Sequence, residues 1–171
     1  RVFDGFNVHE NAAVIFSGNK IVQVGDQTQL LGVCKHQVDL GDATILPGFI
    51  ESHSHLAIQN IPHEIVLRHG ITTARDTGGP LQKPMGGNGK LRVLSAGPII
   101  QAGNGYPLNL FGPGGHHPAD KYDAVGIAVE TVAEAEKVVE DLVAGGATII
   151  KVALEPGGEL GAPWMSSHGH G

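Results

Sequence analysis

The sequence predicts a mixed α/β protein, and three observations predict it. Up to Leu46 the apolar residues fall in short runs of strand length; Pro47-Gly48 then interrupts the pattern; beyond it, strand-like runs alternate with segments of helical period. A small β-structure over 1–46 and an α/β module over 47–171 are therefore expected, with the Pro-Gly turn as the boundary.

In the first module, Ala12-Ala13-Val14-Ile15-Phe16 and Ile21-Val22-Gln23-Val24 flank Ser17-Gly18-Asn19-Lys20, two β-rich runs around a Gly-Asn turn that read as a hairpin. Further short strands are expected over 38–40 and 44–46. In the second module the pattern predicts a short helix over 62–69, a strand over 72–75 and a strand over 92–96 that continues toward Ile100. Thr131-Val132-Ala133-Glu134 has capping-box spacing, and Val132, Ala135, Val139, Leu142 and Val143 are expected to share the buried face of the helix that follows. Gly145-Gly146 stops it. The apolar run over 147–154 reads as a strand covered on both faces, with Lys151 in its middle. Segments 78–89 and 103–118 read as loops, and 166–171 is a low-complexity Ser/His/Gly tract.

With 171 residues, 41% hydrophobic and 16% charged, the chain can bury a sizeable core. The formal charge of −6 is spread without a basic cluster or acidic tail, so neither nucleic acid nor an anionic membrane is favoured as a partner. The single cysteine, Cys34, excludes an internal disulfide framework and a Cys-rich zinc module and leaves the compartment open. The chain starts at Arg1 without an initiator Met, and an upstream segment is expected. Ten histidines against 11 Lys plus Arg point toward metal chemistry.

Within Glu51-Ser52-His53-Ser54-His55, residues two apart on a strand face the same way, so His53 and His55 form a two-imidazole pair. Each nitrogen suits zinc, but two ligands leave a site incomplete, and a pair on an ordinary surface or in a core has the same spacing. Lys151, amid Ile149, Ile150 and Val152, either snorkels or ends a strand, or burial lowers its pKa. In the second case a neutral amine can add carbon dioxide and become an anionic oxygen ligand. His116 and His117, in Gly114-Gly115-His116-His117, face a substrate or lie in a solvated loop. Arg75 and Asp76 read as a structural pair at a strand end. His9, His36, His63 and His69 read as surface or packing residues, and His168 and His170 as incidental ligands at most. Gly86-Gly87-Asn88-Gly89 lacks the Lys-Ser/Thr of a phosphate-binding loop.

Leu46-Pro47-Gly48-Phe49-Ile50-Glu51-Ser52-His53-Ser54-His55 resembles the segment of the amidohydrolase superfamily in which a Pro-Gly turn leads into the first barrel strand and its metal-binding His pair. Gly70-Ile71-Thr72-Thr73-Ala74-Arg75-Asp76, Ser95-Ala96-Gly97-Pro98 and Gly145-Gly146-Ala147-Thr148-Ile149-Ile150-Lys151 match in order, most like imidazolonepropionase-like and dipeptidase-like members. The resemblance implies a small N-terminal β-sandwich portion over 1–46 and, over 47–171, the first four units of a (β/α)8 TIM-type barrel, with the site at the C-terminal strand ends. It implies that His53, His55 and Lys151, as carboxylated lysine, hold part of a binuclear centre of divalent metal, expected to be two zinc ions. Glu51 stands where the motif often has Asp, and is not expected to be a ligand. The remaining His ligands and the proton-shuttle Asp are expected outside this chain, from the same or a companion polypeptide. The implied activity is a metal-dependent hydrolase cleaving a C–N bond of an amide, peptide or cyclic amide by a metal-activated water. The alternatives are a mononuclear deaminase of the same fold, or a non-catalytic fragment or interaction module; pairing of copies into a homo-oligomer would cover exposed strand edges.

Overall fold

A computed structural model describes residues 1–103, 105–108 and 124–154. The chain divides into two compact units, Arg1–Phe49 and Ile50–Gly171.

In the first unit β1 (Val2–Phe3) pairs antiparallel with β2 (Val8–His9), and β3 (Ala12–Ser17) with β4 (Lys20–Asp26). The second pair is the hairpin read from the Gly-Asn turn; Gly18 supplies the positive φ of +59° that the turn needs. A short helix, α1 (Gln27–Leu30), follows, its first turn held by the Asp26 carboxylate, which accepts from the Thr28 N–H at 2.8 Å. Residues 38–40 and 44–46 do not form the strands expected of them. Ile45 makes a single parallel bridge with Val2, and the Asp39 carboxylate accepts from the Gly41 N–H at 2.8 Å, turning the backbone locally instead of leaving it to a ladder.

In the second unit, β5 (Phe49–Ser54), β6 (Ile71–Asp76), β7 (Met85–Gly87) and β8 (Lys90–Ser95) form one sheet in the order β5-β6-β8-β7. The helix α2 (His63–Arg68) links β5 to β6, giving a β-α-β crossover. Strands β6 and β8 run parallel from Thr73↔Arg92 to Asp76↔Ser95. Leu56, Ala74, Leu91 and Val93 bury one face of this sheet together with Ile61, Val66 and Leu67, the last two from α2. β7, inside a segment expected to be loop, folds antiparallel onto β8 through a turn with Asn88 and Gly89 at positive φ.

The expected run from Arg92 to Ile100 is two strands. Gly97, at φ +71°, and Pro98 separate β8 from β9 (Ile99–Ala102), which pairs parallel with β10 (Gly126–Val129). A side chain at position 97 would put its Cβ 2.8 Å from Leu142 Cδ2, so the break also brings backbone and helix together.

Helix α3 (Val132–Gly145) starts where its cap predicts. Thr131 Oγ1 accepts from the Glu134 N–H at 3.2 Å, while Glu134 Oε2 accepts from the Glu130 N–H at 2.8 Å, one residue earlier than a capping box requires. Gly146, left-handed at φ +109°, ends it. The buried face differs from the expected one: Val138 and Leu142 are buried against Ile100 and Ile127, whereas Val132 and Val143 are 77% and 58% exposed. The four-residue step from Val138 to Leu142, with Val139 beside it, is the row that meets the β9–β10 pair. The run over 147–154 is not a strand covered on both faces. It contributes one parallel bridge, Val152 to Ile100, and the Thr148 N–H donates to the Ser95 carbonyl at the end of β8 at 3.0 Å, but Val152 and Leu154 are exposed and no further ladder forms among the described residues. No helix among the described residues is long and apolar enough to cross a membrane.

Removing the buried side chain in Leu142→Ala is expected to lower stability by about 2–5 kcal/mol in urea unfolding, whereas the exposed Val132→Ala changes it by less than about 0.5 kcal/mol. Equal losses would contradict the observed face of α3.

Candidate metal centre

The C-terminal end of β5 is stitched to the end of β6. The Thr77 N–H donates to the Ser54 carbonyl at 2.9 Å, and Ser54 Oγ donates to the Arg75 carbonyl at 2.8 Å. His53 and His55 leave this end with ring centroids 5.3 Å apart and ring planes at 64°. The Asp76 carboxylate, only 5% exposed, accepts from the Leu56 and Ala57 N–H groups at 3.0 Å each and so holds the chain as it turns away from His55. Glu51 Oε1 accepts from the His53 N–H at 2.9 Å, which ties this carboxylate to its own strand.

The electrostatics follow from burial. Desolvation pulls the His55 imidazole below its usual 6.5; the neighbouring His53 and the Lys151 ammonium push the same way, while Asp76 and the Gly78 backbone oppose them. His55 Nδ1 is buried without a hydrogen-bond partner. Desolvation raises the Asp76 carboxyl, and the Ala57 and Leu56 N–H bonds limit the rise. Lys151 is half-buried, and its carbonyl accepts from the Ile100 N–H at 2.9 Å, which fixes its backbone to β9.

His53 and His55 are thus together, and Lys151 is close enough for its charge to reach His55. An imidazole whose pKa burial lowers, with an orphaned buried nitrogen, fits a divalent cation. Among the described residues no group of three or more His, Cys, Asp and Glu side chains gathers around one point, so the pair is part of a ligand set. His116, His117, His168 and His170 lie outside the described residues. His9 is a surface residue, as expected; its Nε2 lies 2.7 Å from an Asp4 carboxylate oxygen, and this contact, with the Asn7 and Phe6 N–H groups, lowers the Asp4 carboxyl to about 2. Arg75 and Asp76 do not pair with each other, because consecutive strand residues point to opposite faces. The role of Asp76 has a sequence signal, a carboxylate closing the strand run Ile71-Thr72-Thr73-Ala74 just before Gly78-Gly79, where a buried acid must find backbone donors.

No family model matches the chain. It is 44% identical to an imidazolonepropionase of Cutibacterium acnes over 45 residues, 26% of this chain and 11% of that protein. It is 43% identical to an adenine deaminase of Brucella abortus over 44 residues, 23% of this chain and 8% of that protein. Its fold is similar to the crystal structure of A. niger ochratoxinase, with a TM-score of 0.52 at 18% identity over 83% of this chain and 42% of that one. These likenesses support a relation to the amidohydrolase superfamily over short stretches of the chain. The superfamily likeness at sequence level is confined to short stretches, and at 18% identity the ochratoxinase likeness concerns the fold, here mixed α/β. The matched segments span about a tenth of the curated relatives and under half of the solved chain.

Asp76→Asn removes the charge that burial disfavours while keeping one acceptor oxygen. Because the folded pKa of Asp76 is raised, its stabilising share is full below pH 3.8 and lost as pH rises through the folded value. Wild type is therefore expected to gain most over Asp76→Asn at the acid end of a urea-unfolding series, with a difference that shrinks toward neutral pH and is then constant.

Proposed function

We propose that this chain supplies part of the active site of a metal-dependent hydrolase that cleaves a C–N bond in an amide, peptide or cyclic amide. The observation that carries the reading is the His53/His55 pair at the C-terminal end of a strand in a β-α-β unit, with the His55 Nδ1 buried and unpartnered and Lys151 nearby. The superfamily likeness and the ochratoxinase fold support extending it to a small N-terminal β-sandwich portion followed by the first half of a (β/α)8 barrel, completed by residues of the same or a companion polypeptide.

His53, His55 and Lys151, the last as a carboxylated lysine, would supply ligands for two divalent cations; zinc is the proposed metal. When bound, the cations polarise a scissile carbonyl and activate a water at neutral pH. The chain's own contribution is to hold the two rings. The Ser54–Thr77 and Asp76–Leu56/Ala57 hydrogen bonds fix the backbone on both sides of His55, and burial lowers the pKa of its imidazole, which favours the ligating form. Glu51 restrains the His53 backbone. The proton to the leaving nitrogen comes from an acid outside these residues. A mononuclear deaminase is the second reading, favoured by the adenine deaminase likeness; there Lys151 stays an unmodified amine.

In the full-length protein, His53→Ala and His55→Ala are each expected to lower amide hydrolysis by more than the ~10–100-fold typical of losing an outer partner of a metal ligand. Lys151→Ala is expected to reduce bound metal from two ions to one or none by elemental analysis; undiminished metal content in Lys151→Ala would favour the deaminase reading.

Acidification tests the ligand assignment separately. Protons compete with metal for imidazole, and since burial holds His55 below 6.5, metal release is expected at a lower pH than from an exposed His pair. Release that tracks an ordinary imidazole titration would argue against His55 as a ligand.

A further inference from the structure

We infer that Arg75 is the receptor for a carboxylate on the substrate, which makes the substrate an amide with an acidic group near the scissile bond; this rests on the hydrolase reading above. The hydrogen bond from the Thr77 N–H to the Ser54 carbonyl sets the parity of β5 against β6, with Ser54 beside Asp76 and His53 beside Arg75. Ala74, Leu91 and Val93 line the face packed under α2, and Leu56 joins them. Arg75 points from the opposite face, the one that carries His53, as the penultimate residue of β6.

On that face Arg75 has no anion among the described residues. Its Nε is buried without a hydrogen-bond partner, and among the described residues it forms no ion pair. Asp76, its neighbour in sequence, is turned away and engaged by two backbone N–H groups. Glu51, the carboxylate on the same face of β5, accepts from the His53 N–H. Across the register, β8 offers Leu94 opposite Arg75 and a second cation, Arg92, opposite Thr73. A buried guanidinium donor with no acceptor is costly, and its planar fork matches a carboxylate with two parallel hydrogen bonds. The level of Arg75 beside His53 puts such a carboxylate next to the proposed metal ligands, at the place where the scissile amide must lie.

A carboxylate from elsewhere in the complete protein, pairing with Arg75 permanently, is the competing role, and substrate selectivity separates the two. The test uses the full-length, metal-loaded protein with a panel of N-acetyl amino acids and the matching C-terminal carboxamides. Wild type is expected to prefer the carboxylates by at least tenfold in kcat/KM. Arg75→Gln is expected to lose that preference through KM, the carboxylates slowing about tenfold more than the carboxamides, and Arg75→Lys, which keeps the charge without the fork, to retain part of it. Equal slowing of both series, an unchanged preference in Arg75→Gln, or no preference in wild type overturns carboxylate recognition and leaves the hydrolase reading standing. Absence of stoichiometric metal together with no hydrolysis of either series overturns both.

Discussion

The Asp76 carboxylate, accepting from the backbone N–H groups of Leu56 and Ala57, is the interaction on which the geometry of the candidate site depends. A β-strand positions side chains only while its backbone is held, and His55 lies just past the last residue of β5, where ladder hydrogen bonds end. The acid at the end of β6 takes over from the ladder and binds the two N–H groups that follow the histidine. Burial makes this arrangement costly for the charge and strong for the hydrogen bonds, because the low local dielectric acts on both.

Around that point the sheet separates its work by face. Alternation sends Ala74, Leu91 and Val93 toward α2, where they form an apolar core, and sends His53 and Arg75 to the other side. Polar chemistry can then gather beside a rigid support without entering its core. The second core, made by Ile100, Ile127, Val138 and Leu142, packs α3 against the β9–β10 pair and brings the segment that carries Lys151 alongside β9. The turn at Gly97-Pro98 makes this possible by releasing the chain from β8 before it begins β9, with Gly97 close under Leu142.

The first unit is built differently. Its two-stranded sheets bury Val2 but leave Phe6, Phe16, Ile21 and Val22 exposed. Two-stranded ribbons are marginal on their own in water, so local turn chemistry carries much of this unit: the Gly18 turn, the Asp26 cap and the Asp39 turn.

Local signals were legible in the sequence wherever one residue type answers one backbone need. The Gly-Asn turn specified the β3–β4 hairpin, Thr131 and Gly146 bounded α3, and His-x-His specified two rings on one side of a strand because side chains alternate with period two. What depends on neighbours distant in the chain was decided by the tertiary structure. Which row of α3 is buried was set by Ile100 and Ile127, so Val138 entered the core and Val132 did not. The run around Lys151 has strand composition, yet a strand needs partners, and a single bridge to Ile100 is what its surroundings allow. Arg75 and Asp76 are adjacent in sequence and invite pairing, but the pleat turns them to opposite faces, one to hold the backbone beside His55 and the other to stand with a buried, unpaired donor beside His53.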